Sequence, residues 1–377
     1  MVGLQRTKPH TARYPLEKFL GIERSAFDPN EVFAVIKDIG ILEPISAELI
    51  ETEDDLTLHV IVEEKWTIFP LPLVMASSGG TNFGLFFLDL NAFGQRDMAA
   101  IGGAYGSFGW SAMAAYNHTP RQNGLPGWNT FFMYGRQEIE TTDKDEKIYS
   151  KYTADQLRFS LGLNYLFLEF ITGYISFSFV DISLQKTDDT FNPPENGATI
   201  LSFTHGLSLR HRSWDGFFLS QKSISLRYNY NLAFSGSSFH QLELRGTYEQ
   251  SLIPGFRLNI RSGGVWKSTS DPLFEEGPGK AQISILPRTF SALHYAGFSA
   301  GLEKHLYKFR WGTLSVQGSW QGVFSYGSIS DFEFNHGPTA ELNLYLSRLA
   351  LPAMGGGIAY NMNSGLFQFS FNIGMSF

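Results

Sequence analysis

The stretch LFQFSFNIGMSF, residues 366–377, alternates strictly between apolar and small polar side chains. One face takes Phe367, Phe369, Phe371, Ile373, Met375 and Phe377, and the other takes Gln368, Ser370, Asn372, Gly374 and Ser376. This period of two predicts a β-strand with one apolar face. Twelve residues at about 3.3 Å each, tilted by about 45°, span roughly 28 Å, close to the ~25 Å apolar band of an outer-membrane barrel.

Two interpretations of this strand are open. A soluble edge strand with one apolar face would show the same alternation. A closing strand that ends in an aromatic residue also resembles the outer-membrane sorting signal of bacterial β-barrel proteins, and Phe377 takes the last position. We adopt the second interpretation because the polar face is small and neutral, as the wall of a barrel lumen can be.

Composition favours a membrane barrel over an ordinary soluble protein. The chain has 377 residues, of which 17% are charged and 15% aromatic, with 38 glycines. No apolar run approaches the ~20 residues of a membrane-spanning helix. In a membrane barrel, residues that face lipid alternate with residues that face the lumen, so no long apolar run is needed. This composition therefore suits a membrane barrel. The first residues show no signal peptide, and we expect that one was removed before this numbering begins.

Several functions are disfavoured by the residues present. The net charge of −7 gives no excess of basic residues that would indicate nucleic-acid binding. Cysteine is absent, which excludes disulfides, thiol catalysis and Cys-ligated metals. The nine histidines form no ligand pair at metal spacing, and no Ser-His-Asp set is complete. We therefore predict no enzyme, no metal and no cofactor.

The N-terminal fifth predicts a small α+β domain. Residues 1–16 carry no pattern and are predicted to be a flexible lead-in, with the domain over 17–64. Asp28–Glu31 has a capping Asp, Pro at the first helical position and Glu three residues after the cap, and Gly40 ends the helix. Two strands follow, at 46–51 and 56–63. A small plug or cap of the same class remains an alternative for this domain.

Residues 65–377 predict one all-β unit, a sixteen-stranded antiparallel barrel. Arg257, Asn259 and Arg261 alternate with apolar residues, so the inner face is expected to be polar and the lumen filled by water or a loop. The predicted strands are 67–77, 82–92, 97–107, 109–118, 129–142, 153–166, 170–184, 198–212, 217–233, 239–252, 255–267, 296–308, 312–326, 337–349, 351–361 and 366–377.

The longest connection joins the eleventh and twelfth predicted strands and contains Leu286-Pro287-Arg288-Thr289-Phe290. Here the chain resembles the BamA/TamA superfamily of outer-membrane assembly and secretion barrels. That family has sixteen strands, periplasmic POTRA domains and an Arg-Gly-Phe-type motif in this loop, which folds into the lumen. The helix and hairpin before residue 65 likewise resemble the end of a POTRA domain, reduced in size.

The resemblance implies a site for Arg288. The family's loop arginine meets acids on the lumen wall, and the candidates in this chain are Glu303 and Glu341. Thr289 stands where the family has Gly, so a positive φ there would be strained. The alternative for Arg288 is an ordinary solvated loop arginine.

The resemblance also implies a function. It places the barrel in the bacterial outer membrane, with the N-terminal domain in the periplasm, and makes unfolded outer-membrane or secreted polypeptides its clients. Clients would enter at a lateral seam between the last strand and the first, where Pro70 and Pro72 flank Leu71 and precede Val74. The rivals are a passive diffusion channel or structural barrel, and a barrel whose partner subunits supply periplasmic domains.

Overall fold

The structure is a computed structural model that describes residues 1–51, 56–77, 80–106, 109–119, 125–185, 187–215, 218–278, 283–310, 312–327, 331–346 and 354–373. These residues form a small N-terminal unit, residues 1–64, and a sixteen-stranded antiparallel sheet. Within the described ranges, no helix has the length and apolar character needed to cross a membrane.

The N-terminal unit packs two helices on a two-stranded sheet. Its elements are α1 (Pro9–Arg13), short 3-10 turns at Tyr14–Phe19 and Arg24–Ala26, α2 (Pro29–Ile39), β1 (Leu42–Glu51) and β2 (Leu56–Glu64). The predicted helix is confirmed: the Asp28 carboxylate accepts a bond from the Asn30 amide at 2.8 Å, and Gly40, at φ +83°, ends α2. Val32 and Ile36 of α2 are fully buried in the core of the unit.

Residues 1–16 are packed, contrary to the predicted flexible lead-in. The Val2 amide donates to the Val60 carbonyl at 2.9 Å, and the Val62 amide donates to the Val2 carbonyl at 3.0 Å. Ala12 and Leu16 join the same core as α2. The sequence does not reveal this, because a single bridge and a five-residue helix are too short to show a period.

The sixteen strands of the large sheet follow one another in chain order from β3 to β18. Every predicted strand has a counterpart, and the largest shifts are the starts of β8 at Ile148 and β16 at Glu333. The strands are β3 (Ile68–Ser77), β4 (Gly80–Ala92), β5 (Asp97–Gly106), β6 (Gly109–His118), β7 (Gly127–Thr142), β8 (Ile148–Leu168), β9 (Ile171–Gln185), β10 (Ala198–Asp215), β11 (Phe218–Ala233), β12 (Phe239–Ile253), β13 (Phe256–Lys267), β14 (His294–Phe309), β15 (Gly312–Tyr326), β16 (Glu333–Leu346), β17 (Met354–Tyr360) and β18 (Phe367–Ile373).

The polar residues of β13 face inward, as the alternation predicts. Arg257, Asn259 and Arg261 are buried, whereas Ile260 between them is 41% exposed on the outer surface. Exposed leucine, isoleucine and aromatic side chains cover the outer face of the other strands as well. The sheet is therefore polar inside and apolar outside, the reverse of a soluble barrel.

A carboxylate joins the N-terminal unit to the sheet. Glu64 accepts bonds from the amides of Gln5 at 2.7 Å and Arg6 at 3.0 Å, and from that of Thr7 at 3.1 Å. The Asn91 side chain of β4 donates to the same carboxylate at 3.2 Å. Burial raises the pKa of Glu64, but the hydrogen bonds from Gln5, Thr7 and Arg6 outweigh burial, and the net pKa lies below its ordinary value.

We predict that acid releases the first residues of the chain from this joint. Because the folded pKa of Glu64 is lowered, its stabilising effect is complete above the unfolded value of about 4.3 and is lost as the pH falls through the folded value. The anisotropy of a fluorophore on Val2→Cys should fall with acidification in the parent protein. In Glu64→Gln it should be low already at pH 7 and should not change with pH.

The matched control is Glu63→Gln, since Glu63 is the exposed neighbour and should leave the parent curve unchanged. Identical pH curves for all three proteins would exclude this role of Glu64.

Candidate functional site

The connection between β13 and β14 folds back against the inner wall of the sheet. We call residues 268–293 the lumen loop; its residues 279–282 lie outside the described ranges. Ile285 is fully buried and packs in one apolar cluster with Val323 of β15 and Ala359 of β17. The Ser284 amide donates to the Gln321 side chain of β15 at 2.8 Å. The predicted inward fold of this loop therefore has a physical basis in its apolar tip.

The lumen loop is also attached to the other side of the sheet. The Thr142 amide at the end of β7 donates to the Thr289 carbonyl at 3.1 Å, and the two threonine hydroxyls lie 2.8 Å apart. Tyr149 of β8 donates to the Glu275 carboxylate and contacts the Ser291 hydroxyl at 2.9 Å. The loop thus crosses the lumen from β13 and β14 to β7 and β8.

The turn between β7 and β8 reaches over the same opening. In this turn, residues 143–147, the Lys144 ammonium lies 3.4 Å from the Glu333 carboxylate of β16. The Gln368 side chain of β18 donates to the Glu146 carboxylate at 3.1 Å. Glu146 has φ +62°, a left-handed conformation that costs a non-glycine residue of order 1–3 kcal/mol. The turn and the lumen loop together lie across the end of the barrel opposite the N-terminal unit.

A network of charges is buried in the wall below the loop. Glu303 of β14 is fully buried and forms an ion pair with Arg257 of β13, whose Nε lies 3.2 Å from Oε2. The Tyr345 hydroxyl of β16 donates to Glu303 Oε1 at 2.7 Å, and Ser315 also donates to that oxygen. Glu249 of β12 lies 3.3 Å from Arg257 Nη1. The network therefore links five neighbouring strands.

The predicted motif Arg288-Thr289-Phe290 lies in the lumen loop, at its contact with β7. Phe290 is buried and forms a parallel bridge with Thr142. Thr289 is not among the described non-glycine residues that have a positive φ. The backbone strain considered for Thr289 therefore does not arise. Arg288 is exposed.

The predicted acidic partners of Arg288 both face the lumen. The hydrogen bonds described for Glu303 come from groups of the wall itself. Glu341 is half-buried and lies opposite Gln317 in the register of β15 and β16. Pairing of Arg288 with either acid stays a prediction.

The residues of the predicted seam lie on the two outermost strands of the sheet. Pro70, Pro72 and Val74 of β3 pair in register with Phe87, Leu85 and Phe83 of β4. Phe367 and Phe369 of β18 are 59% and 82% exposed. Phe377 lies outside the described residues, as do the side chains of Pro72, Val74, Phe371 and Ile373.

Sequence reasoning missed the roles of Arg257, Thr142 and Glu146. Arg257 and Arg261 were recognised as lumen-facing, and two buried arginines on one strand require acids nearby. This requirement could have directed attention to acids on the adjacent strands, where the structure places Glu249 and Glu303. Thr142 and Glu146 carry no comparable signal, because their contacts depend on how the loops cross the mouth. In the described ranges, no group of three His, Asp or Glu side chains is placed to hold a metal.

Solved structures with this architecture include BamA from Haemophilus ducreyi lacking POTRA domains 1–3. Its TM-score is 0.56 at 11% identity, over 89% of this chain and 76% of that chain. CdiB from Escherichia coli gives a TM-score of 0.62 at 11% identity, over 97% and 72%. CdiB from Acinetobacter baumannii gives 0.62 at 11% identity, over 99% and 72%.

The fold is that of the BamA and CdiB barrels. At 11% identity the likeness is one of architecture, and it confirms the predicted sixteen-stranded class. No protein-family model matches the sequence, and no curated protein sequence matches it.

We predict that Arg257→Ala strongly destabilises the barrel. The substitution leaves the Glu303 carboxylate buried without its ion-pair partner, which typically costs about 3–5 kcal/mol. The midpoint of urea unfolding in detergent, followed by the gel mobility of unheated samples, should fall accordingly. Adding Glu303→Gln to Arg257→Ala should restore part of the loss, because the uncompensated charge is then removed.

Arg136→Ala is the control, since Arg136 forms an exposed pair with Asp155 and its loss should leave the midpoint unchanged. Arg288→Ala tests whether Arg288 pairs with an acid of the lumen wall, as the resemblance implies. Such a pair predicts a loss of unfolding free energy well beyond the about 0.5 kcal/mol of a surface substitution. Equal midpoints for Arg257→Ala and the parent would show that the wall does not depend on this pair.

Proposed function

We propose that this protein is a bacterial outer-membrane barrel that inserts or translocates other polypeptides through a lateral seam between β3 and β18. One observation carries the proposal. Among the residues that the structure describes, no ladder joins β3 to β18, whereas each other pair of neighbours in the sheet is joined by one. An unpaired strand edge is a template on which another chain can add as a strand.

The prolines of β3 support a weak seam. The ladder between β3 and β4 continues through Pro70 and Pro72, although neither residue has an amide hydrogen to donate. Proline is tolerated on an edge strand when its missing donor faces away from the ladder. Residues 70 and 72 point their backbone groups to the same side, so the side facing β18 lacks two donors. A closed seam would therefore be poorer in hydrogen bonds than the other pairings.

The N-terminal unit supports the same proposal. We propose that residues 1–64 form one reduced POTRA-like domain on the periplasmic side, attached to the β4–β5 end of the barrel through Glu64 and Asn91. Unfolded outer-membrane or secreted polypeptides are then the proposed clients, and outer-membrane lipid surrounds the apolar outer face. Partner subunits that supply further periplasmic domains fit the small size of this unit.

A passive diffusion channel is the second candidate, and the polar inner wall favours it. The lumen loop and the β7–β8 turn count against it, because they cover the outer mouth with buried apolar groups and with bonds to β16 and β18. Closure of the seam separates the two candidates, since conduction through the lumen does not need an open seam.

We predict that closing the seam abolishes assembly activity. The chain has no cysteine, so a pair introduced within 74–77 and 373–376 forms only the intended cross-link where the Cα atoms lie within about 7 Å. The purified protein in lipid vesicles should then fail to fold a client barrel, and reduction should restore folding. A channel would conduct equally in both forms.

The control pair is Phe87→Cys with Ile101→Cys, which are register partners of β4 and β5 on the exposed outer face. This cross-link stiffens the barrel and leaves the seam free, so activity should persist. Full client folding with the seam verifiably cross-linked would reject the lateral mechanism.

A further inference from the structure

The end of the sheet at β18 is held by few backbone pairs. As described, β17 and β18 are its shortest strands, with seven residues each. Six residues of β17 pair in register with β16 and seven pair with β18, whereas β7 and β8 pair at sixteen positions. Within the described ranges, β17 is the one strand that pairs with β18. Because cross-strand pairs are the units that stabilise a sheet, side-chain contacts count for more at β18 than at the longer strands.

The β7–β8 turn is a rigid frame that presents one carboxylate. Asp143 accepts hydrogen bonds from the amides of Asp145 and Lys147, both at 2.9 Å. The Glu146 amide donates to the Asp143 carbonyl at 3.2 Å. These bonds keep Glu146 at φ +62°, in the left-handed region. A non-glycine residue persists in this costly conformation only where its surroundings enforce it, and such residues are concentrated in functional and switch regions.

The turn contacts the strands on both sides of β17. The Lys144 ammonium lies 3.4 Å from Glu333, the first residue of β16. The Gln368 side chain of β18 donates to the Glu146 carboxylate at 3.1 Å. Gln368 lies opposite Ala359 in the register of β17 and β18, and Ala359 packs in the same apolar cluster as the lumen loop. The lumen loop therefore holds β17, and the turn holds β18.

The contact with β18 combines a favourable and an unfavourable interaction in one residue. A hydrogen bond to a carboxylate is stronger than one between neutral groups. The left-handed backbone of Glu146 opposes this gain with a cost of the same order. Glu303 differs, because it is fully buried and has an ion-pair partner and further donors around it. The balance at Glu146 makes its contact one that can open and close, whereas Glu303 is fixed.

We propose that the β7–β8 turn is a latch on β18. Glu146 holds the Phe367 end of the strand through Gln368, and β18 moves away from the barrel wall when this bond is released. Release also allows Glu146 to leave its left-handed conformation. The inference rests on the proposed function for its biological meaning, because it names the contact that controls the width of the lateral seam.

The test is a distance measurement on the full-length protein in lipid vesicles, without a client. Nitroxide spin labels are placed at Phe83→Cys of β4 and Phe369→Cys of β18, which are 63% and 82% exposed in a chain that has no cysteine. Gln368→Glu sets a second carboxylate against Glu146. Pulsed electron spin resonance should then show a longer distance, with the released population increased about tenfold or more, as expected for the loss of a charge-assisted hydrogen bond.

The double variant Glu146→Gln/Gln368→Glu exchanges the two partners. It restores one amide donor and one carboxylate acceptor, so the distances should return to those of the parent. Lys147→Gln is the control, since it removes an exposed charge of the same turn and leaves the pair in place; its distances should match the parent. Unaltered gel mobility of the unheated proteins verifies that each barrel is folded.

Three results would overturn the latch. They are equal distances in Gln368→Glu and the parent, a double variant as released as Gln368→Glu, and an equal release by Lys147→Gln. The assembly function is judged separately, because the distances are measured without a client. Absence of client folding by the parent would reject that function and leave the latch supported by its distances. Client folding together with unchanged distances in Gln368→Glu would reject the latch alone.

Discussion

A charge buried on the inner wall needs an opposite charge close by, on a neighbouring strand, on its own strand or in the lumen loop. An isolated ionised group in such a place costs several kcal/mol, and this cost is recovered only with close partners and further hydrogen bonds. Glu303 meets the condition through Arg257 and Tyr345. Because these residues sit on β14, β13 and β16, the pairing is compatible with one register of the strands. The polar lumen, and with it the apolar exterior, depends on that agreement.

The sequence predicts the parts of the fold that depend on local patterns of residues. Arg257, Asn259 and Arg261 alternate with apolar neighbours, and a period of two assigns both the strand and its inward face. Asp28 and Gly40 mark the ends of α2 by capping chemistry that acts within a few residues. The lumen loop was placed correctly because its position follows from the strand count.

The parts that the sequence does not predict depend on contacts between distant residues. Glu303 was identified as lumen-facing, but its ion pair with Arg257 follows from the register of β13 and β14. Arg288 was assigned by family resemblance, whereas the buried anchor of the loop is the apolar tip at Ile285. Residues 1–16 looked featureless because their structure is a bridge to Val60 and Val62 on another segment. The periodicity of a short stretch of sequence gives no information on such contacts.

The position of the lumen loop constrains the order in which the chain can fold. Ile285 packs with residues of β15 and β17, while Thr289 is bonded to β7, so the loop holds strands from both halves of the sheet. If the wall closed first, Ile285 would have to cross the polar interior to reach its buried position. We therefore expect the strands to assemble around the loop while the wall is still open. Any pairing of the terminal strands β3 and β18 is expected to come last, because it would join the most distant segments of the sheet.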